Sequence, residues 1–235
     1  MTLHLVTRRA LSAITAAFVV LAGSTVTAAE PPSAPSQYLY LWTASVDETQ
    51  PDFLAVLDVT ESEGRYGRLV TTLPVPGRAN NPHHTEHEMP RDGQLFANGF
   101  ETGQTFVFDL ADPTHPRIVR QFGDVDGYSH PHSFLRLPNG NVLATFQMRH
   151  DHESDAVRTG GIVEMTPAGE SVRSASADGP GLSEGMRVYS GQIVPRLDRI
   201  LTTTTDMHKD DPASRNLQVW RLSDFSLLHT FLLPD

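Results

Sequence analysis

The stretch Phe53-Leu54-Ala55-Val56-Leu57-Asp58 is a short apolar run that ends on a polar residue, and the chain contains three more of this kind. They span residues 105–109, 161–164 and 217–221. Short runs bounded by Gly, Pro, Asp and Asn are typical of β-strands. Their spacing of about 50 residues is the repeat length of β-propeller blades. The sequence therefore predicts an all-β propeller with about four visible four-stranded blades.

Further strand-like segments flank each run, so a full unit holds four strands, called a to d from the channel outwards. Tight turns at Asp92-Gly93 and Asn139-Gly140 separate strands a and b. The predicted inner strands are 83–89, 130–137 and 188–195. The first unit, from Tyr38, has no inner strand before it, and none follows the last outer strand. We therefore expect blades over 38–235 that form an incomplete ring within a longer protein; a four-bladed ring with a defective first blade is the alternative.

The N-terminus has the features of a signal peptide over residues 1–28. Arg8 and Arg9 precede the apolar stretch 10–23, which is too short for a comfortable membrane span, and Val26-Thr27-Ala28 is a small-residue cleavage site. Residues 29–37 are predicted to be a disordered linker. We expect a periplasmic or secreted protein with no stable membrane span after cleavage. An uncleaved anchor and a twin-arginine signal are the alternatives.

Composition excludes several classes of site. The formal net charge is −10 and no basic run exists, which argues against a nucleic-acid partner, because phosphate binding needs clustered Lys and Arg. The chain has no cysteine, so thiolate can serve neither as metal ligand nor as nucleophile.

Histidines concentrate at the start of two predicted inner strands. His83-His84-Thr85-Glu86-His87-Glu88 opens the second unit, and His130-Pro131-His132 opens the third. Inner strands line the channel of a propeller, so these side chains should converge on one rim. Aligning Gly93 with Gly140 places His83 opposite His130, and Thr85 opposite His132. Strand alternation places His83 and His87 on one face and His84 on the other.

Imidazoles from separate strands are a usual way to hold copper or zinc. Two carboxylates, Glu86 and Glu88, could orient an imidazole or move protons as catalytic groups. The alternative is a solvated, histidine-rich surface without a metal. The predicted metal ligands are His83, His84, His87, His130, His132 and, after the b strand of the fourth unit, His208.

Five segments of the chain resemble the selenium-binding protein / methanethiol oxidase family. They are Tyr40-Leu41-Trp42-Thr43, the run 51–58, Tyr66-Gly67, Pro82-His83-His84 and Pro138-Asn139-Gly140. The resemblance implies a seven-bladed propeller about twice this length, and His83-His84 matches a histidine-bearing family motif. Exported bacterial relatives use copper to oxidise methanethiol to formaldehyde, hydrogen sulfide and hydrogen peroxide. Cysteines associated with selenium binding in eukaryotic relatives are absent here.

Three functions compete at this point. The first is an exported, copper-dependent oxidase of small thiols such as methanethiol. The second is a non-catalytic propeller that binds a metal, a small ligand or a protein. The third is a zinc or calcium hydrolase, which would need an open metal position with oxygen ligands. The sequence leaves the identity of the metal, the substrate and the oligomeric state open.

Overall fold

Nearly all of the regular structure in the described part of this chain is β-strand. The computed structural model describes residues 37–61, 64–151, 154–179, 182, 185–206 and 214–234. Over these ranges the regular elements are fifteen strands and one 3₁₀ turn. The predicted signal peptide, most of the predicted linker and His208 lie outside the described residues. No helix of the described part is long and apolar enough to cross a membrane.

The strands form four antiparallel sheets in chain order, each a blade of the predicted kind. The first sheet contains β1 (Tyr38–Thr43), β2 (Phe53–Asp58) and β3 (Arg68–Pro74). The second contains β4 (Pro82–Thr85), β5 (Gln94–Gly99), β6 (Gln104–Asp109) and β7 (Arg117–Phe122). The third contains β8 (Tyr128–Arg136), β9 (Val142–Asp151), β10 (Ser154–Met165) and β11 (Ser171–Ser176). The fourth contains β12 (Arg187–Val194), the 3₁₀ turn Pro195–Leu197, β13 (Arg199–Thr205), β14 (Asn216–Arg221) and β15 (Leu227–Leu232).

The all-β fold class and the order of strands within each unit are confirmed. The largest difference is in the inner strand of the second sheet, which was predicted over 83–89 and ends at Thr85. Within the described residues the first sheet has three strands, in the order β1-β2-β3. The closure of a seven-bladed ring stays a prediction.

Apolar side chains from both faces of the second and third sheets contribute to the core. On β6, Phe106 and Phe108 pack with Leu54 of the first sheet, whereas Val107 packs with Phe134 of the third. This split follows from the two-residue period of a strand, which sends successive side chains to opposite faces. A third cluster around Trp220 joins the third and fourth sheets. The core is therefore a series of layers between neighbouring blades.

The inner strands of the second, third and fourth sheets share a β-bulge at the same position. In each sheet two consecutive inner-strand residues lie opposite a single residue of the neighbouring strand. That single residue accepts a hydrogen bond from the backbone N–H of the second bulged residue. The three bonds are His84 N–H to Asn98 Oδ1 (2.6 Å), Ser133 N–H to Thr145 Oγ (3.0 Å) and Ser190 N–H to Thr203 Oγ (3.2 Å). Bulges of this kind re-aim side chains near functional sites.

We expect Phe106→Ala to lower the free energy of unfolding by about 3–5 kcal/mol, because it leaves a cavity in a packed core. Phe106 is fully buried, and its ring lies 5.5 Å from that of Trp42. Val172→Ala is the control, since Val172 is 51% exposed on an outer strand. Urea unfolding of both variants measures the difference. Equal losses would contradict the assignment of the core.

Candidate metal centre

The bulges determine which residues are structurally equivalent in the three complete blades. The bulged pairs are His83-His84, His132-Ser133 and Tyr189-Ser190. His83 is therefore equivalent to His132, and the predicted match of His83 with His130 is wrong. Gly93 follows its bulge by nine positions and Gly140 follows its bulge by seven, so an alignment on the turns shifts the inner strands by two residues.

Three of the six predicted metal ligands come together at these bulges. A ring nitrogen from each of His83, His84 and His132 lies within 4.8 Å of the others. The ring centroids are 4.1 Å apart for His84 and His132, and 4.6 Å apart for His83 and His84. Simple alternation predicted His83 and His84 on opposite faces, which is wrong because the bulge turns both rings towards His132.

Exposure is graded across the cluster. His83 is exposed, His84 is half-buried and His132 is fully buried. Two aromatic rings flank the imidazoles: Phe100 lies 4.9 Å from His83, and Tyr189 lies 3.7 Å from His132, measured between ring centroids. A ligand can therefore reach the cluster at His83, while the opposite side is closed by packed rings.

The environment keeps these imidazoles neutral at pH 7. Burial, followed by the neighbouring His84 and His83, lowers the pKa of His132 to about 3. Burial, followed by His83 and His87, lowers the pKa of His84 to about 4. Burial also lowers the pKa of His83. Only the neutral imidazole has the nitrogen lone pair that binds a metal.

One buried nitrogen in the cluster has no hydrogen-bond partner. His132 Nδ1 lies 3.3 Å from Ser133 Oγ, whereas the buried Nε2 has no partner of ordinary hydrogen-bond geometry among the described residues; the nearby Tyr189 backbone only partly opposes the fall in the pKa of His132. Buried polar atoms are almost always satisfied, so an isolated one needs an explanation. A metal bound at Nε2 would supply the missing partner, and Ser133 would then hold the other ring nitrogen, as second-sphere groups commonly do. The donor set of three neutral imidazoles suits copper or zinc.

The remaining predicted ligands do not join this cluster. His130 has a left-handed backbone conformation (φ 57°), and its ring lies beside Gly103. Its Nδ1 lies 3.3 Å from Ser129 Oγ, which also contacts His150. His87 is exposed beyond the end of β4. His208 lies outside the described residues.

The two predicted catalytic carboxylates have different surroundings. Glu88 is exposed, and its role in proton transfer stays a prediction. Glu86 is buried, and Arg136 Nε and Nη2 donate to its two oxygens at 3.0 and 3.1 Å. The Phe96 N–H donates to the same carboxylate. Burial raises the pKa of Glu86, and Arg136 opposes that rise. This geometry favours an anchoring role, in which Glu86 joins the second blade to the inner strand of the third.

Sequence reasoning missed Asn98 and Phe100 as parts of the site. Asn98 is fully buried on β5, and its side chain holds the bulge that carries His84. The available signal was an asparagine inside the apolar strand Leu95-Phe96-Ala97-Asn98, because asparagine is depleted in strands and a buried amide needs partners.

Comparison with known proteins agrees with this fold. The chain is 30% identical over 141 residues to a methanethiol oxidase of Hyphomicrobium sp., which covers 58% of this chain and 31% of the enzyme. A hypothetical selenium-binding protein of Sulfolobus tokodaii superposes with a TM-score of 0.67 at 18% identity, over 86% of this chain and 50% of the other. The resemblance to the selenium-binding protein / methanethiol oxidase family is confirmed.

The chain spans only part of these relatives: about a third of the methanethiol oxidase and half of the Sulfolobus protein. The propeller fold is shared more widely than this family. A periplasmic gluconolactonase of Pseudomonas aeruginosa superposes with a TM-score of 0.53 at 15% identity, over 83% of this chain and 50% of that one. No family model matches the chain.

Arg136→Met should lower the free energy of unfolding by about 3–5 kcal/mol, because it leaves the buried Glu86 carboxylate without its cation. Arg117→Met is the control, since Arg117 pairs with Asp109 at the exposed edge of β7 and its loss should leave the urea midpoint nearly unchanged. The double variant Glu86→Gln/Arg136→Met should lose less than the sum of its single changes. Additive losses would contradict the coupling.

The metal-free chain should lose stability as the pH falls from about 6.5 towards 4, because unfolded histidines protonate near pH 6.5. Folded His84 and His132 resist protonation until about pH 4 and about pH 3. Below pH 6.5 the unfolded state therefore binds more protons and is favoured. Urea midpoints at pH 7.5, 6 and 5 measure the effect. The variant His84→Gln/His132→Gln should show a smaller decrease than the parent chain, and parallel decreases would contradict the assignment.

Proposed function

We propose that this chain is part of an exported propeller oxidoreductase that holds copper through His83, His84 and His132 and oxidises small thiols. The observation that carries the proposal is the partnerless, fully buried Nε2 of His132 beside two further imidazoles. The similarity to methanethiol oxidase supports the reaction class. Methanethiol is the first candidate substrate, and the signal-like N-terminus supports a periplasmic or secreted location.

Each histidine has a distinct part in this proposal. His132 is the fixed ligand, since it is fully buried and packed against Tyr189. His84 is held close to His132, because its backbone N–H donates to the Asn98 side chain. His83 is the exposed ligand, and it marks the side from which dioxygen and thiol reach the site. Copper when bound would supply one-electron redox chemistry between the thiol and dioxygen.

The reaction proposed for this family member balances as methanethiol, dioxygen and water giving formaldehyde, hydrogen sulfide and hydrogen peroxide. The thiol must lose its proton to react, and the carbon–sulfur bond must break. Glu86 is held by Arg136, so it keeps the segment after β4 in place. The exposed Glu88 or His87, both beyond the end of β4, is better placed to exchange protons with solvent.

The first test is the metal content of the full chain expressed in the bacterial periplasm, measured by inductively coupled plasma mass spectrometry. We expect close to one copper per chain. His84→Ala and His132→Ala should each weaken copper binding at least tenfold, since each removes a direct ligand. His115→Ala is the control, because it removes an exposed histidine that contacts Asp112 instead. Unchanged copper content in both cluster variants would exclude these residues from the site.

The second test is activity of the copper-loaded chain with methanethiol. Peroxide and sulfide should appear with copper present and should be lost when the metal is chelated. Copper binding without either product would favour a non-catalytic metal-binding propeller.

A further inference from the structure

Asn98 is a polar side chain in the buried centre of the second blade. It is fully buried on β5, directly after Phe96 and Ala97, which pack in two different layers of the core. Burying an amide is unfavourable unless its donor and acceptor groups find partners. The side chain therefore needs bonds at both ends, and their partners indicate what Asn98 does.

The two ends of the Asn98 amide bind the two strands that carry the imidazoles. Its Oδ1 accepts the N–H of His84 at 2.6 Å, and its Nδ2 donates to the carbonyl of Pro131 at 2.8 Å. Pro131 directly precedes His132. A single side chain thus connects the backbone of one imidazole residue to the residue before another. The indole N–H of Trp42, in the first blade, donates to the backbone carbonyl of Asn98 at 2.7 Å and so fixes this residue from a third strand.

The same connection is repeated one blade further on. Thr145 occupies the position equivalent to Asn98, and its hydroxyl accepts the Ser133 N–H at 3.0 Å. That hydroxyl also donates to the carbonyl of Tyr189 at 2.5 Å. Tyr189 is the residue whose ring packs on His132. In both cases one buried side chain joins the bulge of one blade to a residue at or directly before the bulge of the next.

We propose that Asn98 is a positioning residue that sets the separation of His84 and His132, and that Thr145 sets the position of Tyr189 in the same way. Functional sites need their groups held within about 0.5 Å, which a direct bond between the two strands provides. The part of this inference that concerns metal affinity rests on the proposed function. The part that concerns the placement of the imidazoles does not.

Two variants separate the bonds that Asn98 makes. Asn98→Asp keeps an acceptor for His84 but places an oxygen against the Pro131 carbonyl. Asn98→Thr introduces the residue that the third and fourth blades use at this position, so it is compatible with the bulge, and it lacks the longer amide that reaches Pro131. Glu164→Gln is the matched control. Glu164 is 2% exposed and accepts bonds from Asn139, Asn141 and Arg173, so it perturbs a buried polar group outside the imidazole cluster.

The experiment measures copper affinity by competition titration on the full chain, together with the urea midpoint of each variant. We expect both Asn98 variants to bind copper at least tenfold more weakly than the parent chain. The copper affinity of Glu164→Gln should stay within threefold of that of the parent chain, even if its urea midpoint falls as much as those of the Asn98 variants. If Asn98→Asp does not fold, the copper affinity of Asn98→Thr alone tests the proposal. Parent-like affinity in a folded Asn98 variant would overturn the proposal.

A metal-free measurement keeps this test separate from the proposed function. Diethyl pyrocarbonate should not modify the fully buried His132 in the parent chain or in Glu164→Gln, and should modify it in the Asn98 variants. If the parent chain binds no copper, the proposed function fails, and this reactivity alone decides the role of Asn98. Increased reactivity then supports positioning, whereas equal protection of His132 in all variants overturns it.

Discussion

The candidate site depends on one constraint: a bulged inner strand leaves a buried backbone N–H that needs an acceptor. In an ordinary antiparallel ladder the facing strand supplies that acceptor from its backbone. Here two residues face one, and a side chain of the neighbouring strand supplies it instead. Because this arrangement recurs in three blades, the residues at the bulges meet near the same rim. His83 with His84, His132 and Tyr189 occupy those bulges.

The strand pattern could be predicted from the sequence because it depends on local properties. Phe106-Val107-Phe108 alternates between two core layers, and Asp92-Gly93 marks a turn. The bulges could not be predicted in the same way, because they depend on pairing with a strand more than ten residues away. The alignment on the turns assumed inner strands of equal length. In the structure β4 ends at Thr85, and the next residue, Glu86, forms an ion pair with Arg136.

The same limitation explains which of the predicted ligands converge. The sequence analysis included His83, His84 and His132 among six predicted ligands, but the strict two-residue period placed His83 and His84 on opposite faces. His130 lies outside the group and has a left-handed backbone conformation, which is uncommon for a residue other than glycine. Asn98, whose role lies in contacts between blades, becomes recognisable only when two blades are placed side by side.

Packing and electrostatics at the cluster act together. The rings of Tyr189 and Phe100 pack against His132, and burial lowers the pKa values of the imidazoles, which keeps them neutral. The buried His132 Nε2 without a hydrogen-bond partner is unfavourable in a metal-free core, and coordination would relieve this cost. The arrangement therefore favours a site that is completed by a metal over a purely structural histidine cluster.

X-ray absorption spectroscopy of the full chain loaded with one equivalent of copper tests this account most directly. The fine structure of the copper edge counts the imidazoles around the ion. The account predicts three imidazole ligands, and a loss of one in His132→Ala. A first shell of oxygen with one imidazole or none, unchanged in that variant, would contradict it.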